Sequence, residues 1–209
     1  DGVFKGVDYK KYQVRSNIDH DVSDKLRIGV KMNAFHSKAN DMAMQSLYYA
    51  NPVFGGMIIN PWTPTMNEDG TYNLNIPENL NTNPLATAAY DDQWEYQNRL
   101  QGNAYVEWEP VAGLKLKSTN AMEYTDGEGR RYWSPEADFA GDATLQVSRT
   151  NYSQITTSNT ATYNKYFNDH SVNVIAGFEA FNNQNNSYYI YSPNVDPNIL
   201  FPNTSTAEG

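Results

Sequence analysis

Tyr12-Gln13-Val14-Arg15-Ser16-Asn17-Ile18 and Leu26-Arg27-Ile28-Gly29-Val30-Lys31-Met32-Asn33-Ala34 decide the fold. Tyr12, Val14, Ser16 and Ile18 alternate with Lys11, Gln13, Arg15, Asn17 and Asp19. Leu26, Ile28, Val30, Met32 and Ala34 alternate in the same way with Arg27, Gly29, Lys31 and Asn33. Successive side chains of a strand point to opposite faces, so each run is a strand with one apolar and one polar side. The polar stretch His20-Asp21-Val22-Ser23-Asp24 predicts the turn between them.

The pattern recurs further along. Leu100, Gly102, Ala104, Val106 and Trp108 alternate with Gln101, Asn103, Tyr105 and Glu107. Glu109-Pro110-Val111-Ala112-Gly113 predicts a turn, because Pro and Gly punctuate strands. Leu114, Leu116, Ser118, Asn120, Met122 and Tyr124 return. A third hairpin is predicted over 144–182, turning at Tyr166-Phe167-Asn168-Asp169 and returning through Val172, Val174, Ala176, Phe178 and Ala180. The hairpins are thus 9–35, 98–125 and 144–182, giving six strands, with Ser187 to Tyr191 a candidate seventh. The links 37–97, 126–143 and 183–209 are long, whereas loops in compact domains have a median of roughly 4–6 residues.

Short turns alternating with long links place all the turns at one end of an antiparallel sheet and all the loops at the other. That order suits a membrane barrel. Strands of about eleven residues, tilted near 45°, cover its apolar band of about 25 Å. A soluble antiparallel β-sandwich with elaborate loops fits the same alternation.

Composition narrows the classes. The chain has 209 residues, 15 Lys+Arg against 24 Asp+Glu, a net charge of -9 and no cysteine. Disulfide scaffolds and thiolate metal sites are excluded. Acidity with scattered bases argues against nucleic acid as a partner. An aromatic content of 13% argues against disorder. No apolar run is long enough for a transmembrane helix, which leaves a barrel open. The first residue is Asp1 rather than Met, which reads as a processed chain or an internal segment.

No catalytic constellation is visible. His20, His36 and His170 are too dispersed for a close-spaced ligand set, and neither a nucleophile elbow nor a phosphate loop is present. Asp91-Asp92 and Glu107/Glu109 are adjacent carboxylates, but a glycosidase pair needs a cleft that sets the spacing. Asn67, Asp69, Asp91 and Asp92 are loop oxygen ligands that could hold calcium. Aromatic loop residues are the stronger lead. Trp62 and Trp94, with Asp91, Asp92, Tyr132 and Trp133, are candidates to contact a ligand or a protein lid, since aromatic rings give large contact area at low entropic cost. Tyr105, Trp108 and Tyr124 suit the rim between an apolar band and water. Residues 39–50 read as a short helix capped by Asn40 or Asp41 and ended by Pro52.

Asp8-Tyr9-Lys10-Lys11-Tyr12-Gln13-Val14-Arg15-Ser16-Asn17-Ile18-Asp19-His20 resembles a barrel strand of the SusC/RagA-type TonB-linked outer-membrane proteins. Val22 to Gly29, Arg99 to Trp108, Gly113 to Thr119, Thr162 to Asn168 and His170 to Glu179 are similar to that family in order and spacing, as are the pairs Asn51-Pro52 and Asn83-Pro84. The resemblance covers about residues 2–182. It implies an all-β fold: an antiparallel transmembrane β-barrel segment, about six strands of a barrel of about 22, with long extracellular loops. It also implies a part of an outer-membrane importer of oligosaccharides or peptides, without enzymatic activity or an obligate cofactor. The implied partners are a SusD-like surface lipoprotein acting as a lid, TonB acting through a plug not found in these residues, and outer-membrane lipid. Ile28, Val30, Met32, Val106, Val172 and Val174 would then face lipid, and Arg15, Asn17, Lys31, Gln101, Asn103, Lys117 and Asn173 the lumen. The alternative is a soluble β-sandwich module that binds carbohydrate or is structural. Two sheets facing across a shared core would mark it.

Overall fold

In the computed structural model the described residues are 7–41, 51–137 and 143–199. They form one six-stranded antiparallel sheet whose spatial order, β1 to β6, is the order along the chain. The strands are β1 (Asp8–Ser23), β2 (Leu26–Asp41), β3 (Asp92–Val111), β4 (Leu114–Trp133), β5 (Thr144–Phe167) and β6 (His170–Pro193). Each consecutive pair is a hairpin neighbour or is joined by a longer link, so every pairing is antiparallel.

The alternation read from the sequence is realised as two faces. Register places Val14, Ala34, Leu100 and Tyr124 in one row, and Ile18, Val30 and Ala104 in another. Arg15, Asn33, Gln101, Glu123 and Gln154 form a row on the opposite side. Cross-strand neighbours supply much of a sheet's stability. On the polar side they do so through hydrogen bonds: Gln13 to Asn33 (2.6 Å), Gln101 to Glu123 (3.2 Å) and the Arg99–Glu123 ion pair (2.6 Å). The apolar side is largely uncovered, with Val14, Ile18, Val30, Val106, Met122, Ile155, Val174 and Phe178 all exposed. A contiguous apolar patch of this kind marks an interaction surface.

The strands exceed the predicted hairpins. They are 16 to 24 residues long, where roughly 5–6 is usual. β4 runs through Trp133, into the predicted 126–143 loop. Ser187 to Tyr191 continue β6 and add no seventh strand. The first turn is Asp24-Lys25, because β1 carries on through His20 to a bulge between Asp21 and Ser23. The second turn is Ala112-Gly113, with Gly113 at a φ of 85° that suits glycine.

The barrel expectation is corrected. Among the described residues β1 pairs only with β2 and β6 only with β5, so the sheet they form is open and does not close on itself. Each outer strand keeps a bare edge of backbone N–H and C=O groups. In hydrocarbon those groups would have no partner, so a spanning sheet must be closed. The transmembrane strand assignment and the multi-pass outer-membrane placement with extracellular loops are withdrawn on this ground. The described residues do not form a sandwich either, because all six of their strands belong to one sheet. No helix among the described residues is long and apolar enough to cross a membrane, which says nothing about strands.

The link between β2 and β3 folds into a small unit. Helix α1 (Pro52–Ile58) and helix α2 (Pro84–Tyr90) flank a 3-10 turn at Pro77–Asn79. Asn51 and Asn83 are the N-caps, accepting from Val53 N–H (2.9 Å) and Leu85 N–H (2.9 Å), and each is followed by proline at the first helical position. Pro52 therefore starts a helix where the sequence reading ended one. The predicted helix at 39–50 falls in β2 as far as Asp41, and its remainder lies outside the described residues. Ile76 and Ala86 are fully buried in this unit.

Candidate functional site

Five of the six ligand candidates lie at one end of the sheet, where α2 runs into β3 and β4 ends. Asp91 is the C-cap of α2, and its carboxylate accepts the Ser134 N–H at 2.8 Å. Asp92 opens β3 directly across from Tyr132. Tyr132 is 6% exposed and packs with Ala143, Leu145 and Val195. Its burial pushes the phenol above the ordinary tyrosine range, the charges of Glu136 and Asp91 adding to this and Ser134 opposing it. Tyr132 is thus a core residue of the loop end rather than a contact surface. Trp133 lies across from Thr144, and its indole N–H is buried with no hydrogen-bond partner among the described residues.

Trp94 is available to a ligand in a way that Tyr132 is not. It is half-buried on β3 and stacks on Tyr96 two residues along the same face, with centroids 6.1 Å apart and planes 14° from parallel. His36 of β2 stacks on Tyr96 at 6.4 Å and is hydrogen-bonded to Asn98 at 2.7 Å. The Lys38 ammonium lies 5.7 Å from the Trp94 centroid. The Tyr96 hydroxyl donates to Glu128 at 3.4 Å, and burial with the nearby Glu128 and Asp126 charges raises its pKa. The result is an aromatic strip edged by one cation and one carboxylate. His36 and Lys38 are not among the sequence candidates for a ligand contact. The period-two spacing of Trp94 and Tyr96 was visible, but the partners on β2 depend on register.

Trp62 belongs to the loop unit and is 80% exposed. Its turn is pinned from both sides. The Thr63 N–H donates to the Asn60 carbonyl at 3.0 Å, the Thr63 hydroxyl donates to the Glu78 carboxylate, and the Asn60 amide reaches Glu78 at 3.4 Å. These donors hold the Glu78 carboxyl below its ordinary range, the Thr63 bond contributing most. A large ring on a braced turn is a pre-organised contact group.

The calcium set is not assembled. Asn67 and Asp69 close an exposed turn. The Asn67 amide donates to the Thr71 hydroxyl at 2.9 Å, while Asp69 accepts from the Thr71 N–H (2.9 Å) and hydroxyl (2.6 Å). Those bonds lower the Asp69 pKa. Asp91 and Asp92 belong to the separate α2–β3 junction. Among the described residues no three His, Cys, Asp or Glu side chains are placed to share a metal ion.

The sheet and its loop unit define a two-faced β scaffold that presents side chains, and this geometry has counterparts. No protein-family model matches the sequence. TonB-dependent receptor P3 of Formosa agariphila is 23% identical over 188 residues, covering 85% of this chain and 18% of that protein. TonB-dependent receptor P26 of the same organism is 26% identical over 140 residues, covering 66% of this chain and 13% of that protein. Among solved structures, the RagAB peptide transporter superposes with a TM-score of 0.71 at 14% identity, over 90% of this chain and 22% of that one. The RagAB peptide importer in its open-open state gives 0.70 at 14% identity, covering 90% and 21%. The chain is thus similar to parts of two TonB-dependent receptors and spans less than a fifth of the length of each. The structural likeness shows the fold alone.

The importer reading implied by the resemblance is corrected together with the barrel. Import through a barrel needs a closed wall, and the described residues form an unclosed sheet that matches about a fifth of a transporter chain.

Proposed function

We propose that this chain is a non-catalytic β-sheet module with a binding and structural role. The two-faced open sheet carries the reading: it displays a polar face, an apolar face and an aromatic strip, and it encloses no reaction centre among the described residues. The carboxylates near the aromatic strip are engaged in positioning, Asp126 with Arg149 at 3.2 Å and Glu128 with Tyr96. The ligand is an oligosaccharide or a peptide. A sugar's apolar face or a peptide's aromatic side chain packs on Trp94 and Tyr96, with Lys38 and Glu128 bonding the polar rim. The distant kinship to TonB-dependent receptors supports a SusD-like lipoprotein as protein partner.

Titration of the protein with neutral oligosaccharides and with short peptides, followed by tryptophan fluorescence, tests the reading. Trp94→Ala is expected to weaken binding by about 1–2 kcal/mol, the usual worth of a stacked ring. Affinity unchanged by that substitution would remove the strip from the binding role.

A further inference from the structure

The polar face carries a second feature, on the side of the sheet opposite the aromatic strip. A trough of about 460 Å³ runs across β1 to β5. Its floor is low where Ala121 and Thr156 place small side chains between longer ones. Its walls include Arg15, Lys31 and the side-chain amides of Asn17, Asn33, Gln101 and Asn103.

The charges there are unequal in commitment. Glu123, the trough's carboxylate, is held by Arg99 at 2.6 Å and by Gln101 at 3.2 Å. Asp19, further along β1 on the same face, accepts the Tyr105 hydroxyl at 2.5 Å. Arg15 and Lys31 are exposed, and neither is ion-paired among the described residues. Arg15 faces Asn33 and Lys31 faces Asn17, so the two cations are diagonal neighbours, with Cα atoms about 7–8 Å apart. One carboxylate can lie between two cations at that separation and accept from both.

We infer that this trough is a docking site for an acidic polypeptide segment, whose Asp or Glu carboxylate is taken between Arg15 and Lys31. The amide groups around it favour a polypeptide. Asn33 and Gln101 are chained to Gln13, to each other and to Glu123, which fixes their orientation, while the Asn17 and Asn103 amides offer a donor and an acceptor each, the complement of a peptide group. The inference rests on the binding-module reading, but it uses the other face of the sheet. Trp94→Ala leaves the trough intact, so the two readings fail separately.

The test measures binding of a blocked Glu-Gly repeat hexapeptide to the protein by calorimetry, beside its Gln-Gly counterpart and a uronic-acid oligosaccharide. The Glu-Gly peptide is expected to bind, and its affinity to fall as salt is raised. Arg15→Gln and Lys31→Gln are each expected to weaken it about tenfold, the loss of one charge-assisted bond. Lys165→Gln, on the opposite face, is expected to leave it unchanged. Equal binding of the Gln-Gly peptide, salt-independent binding, or preference for the uronic acid would each overturn the assignment. Circular dichroism checks that each variant keeps the sheet. Should either variant unfold, the peptide comparison and the salt dependence of the unaltered protein decide alone.

Discussion

The Tyr105 hydroxyl donates to the Asp19 carboxylate at 2.5 Å, although one strand runs between them. Tyr105 is on β3, Asp19 on β1, and Gly29 of β2 lies directly between, paired to both. The ring crosses the space that a side chain at position 29 would fill. A Cβ there would come within 2.2 Å of Tyr105 Cε1 and 2.5 Å of the Asp19 carboxylate. Tyr105, grouped with Trp108 and Tyr124 as a rim aromatic, follows the alternation onto the polar face with Gln101 and Asn103, opposite Trp108 and Tyr124.

Gly29→Val is therefore expected to displace the Tyr105 ring and break its bond to Asp19. Both clashing groups are side chains on a solvent-facing surface and can swing aside, so the predicted loss is about 1 kcal/mol, the low end for overpacking. Thermal or denaturant unfolding measures it. A second readout is the Tyr105 phenol, which the Asp19 bond holds above the ordinary tyrosine pKa. In Gly29→Val that titration is expected to fall back, as followed by ultraviolet absorbance. The sign is that of a raised pKa: whatever stability the bond gives is present below the unfolded-state value and is lost as pH rises through the folded one.

Gly113→Ala strains the second turn. Gly113 has a φ of 85°, and a Cβ there would meet the Asn164 carbonyl oxygen at 2.2 Å. The Asn164 N–H also donates to the Gly113 carbonyl at 2.8 Å, tying the turn to β5. The expected cost is about 1–3 kcal/mol in unfolding free energy.

Asn83 is the keystone of the loop unit. It is fully buried, its oxygen caps α2, and its amide donates to the Thr65 carbonyl at 2.7 Å and the Asn73 carbonyl at 2.9 Å. Asn83→Ala removes the side-chain partner of the Asn73 carbonyl and of the Leu85 N–H and leaves the Thr65 carbonyl with the Asn73 N–H alone, at about 1–3 kcal/mol for a buried group left unpaired. Hydrogen exchange should show the loss confined to residues 60–90, with the strands still protected. Uniform loss of protection across the sheet would contradict this.

Asp21 and Arg27 brace the first hairpin through a 2.5 Å contact. The bond to Arg27 lowers the Asp21 pKa. The stabilisation is thus present above the unfolded carboxyl value and is lost as pH falls through the lowered folded one. Arg27→Gln is expected to remove this acid-side dependence. Because both side chains are solvent-exposed, the effect should shrink at high salt, which a pair of pH titrations at two ionic strengths would show.

Period two determined a great deal by itself. Val14, Ile18, Val30, Val106 and Val174 were separable from Arg15, Asn17, Lys31 and Gln101 without coordinates, because the side-chain alternation of a strand is a local property. The strand ends were less legible. Polar residues such as Glu128 and Arg130 continue β4 beyond the apolar stretch, since backbone pairing with β3 and β5 holds them regardless of side-chain hydropathy. The Asn51-Pro52 and Asn83-Pro84 pairs carry a readable helix-start signal, an amide cap before proline, whereas the sequence reading takes Pro52 as the end of a helix. Only the tertiary structure decided that the sheet stays open, that Tyr132 is buried while Trp94 stacks on Tyr96, and that Arg15 and Lys31 face one trough. Those outcomes depend on which strands pair and in what register, and pairing joins residues far apart in the chain that no local pattern specifies.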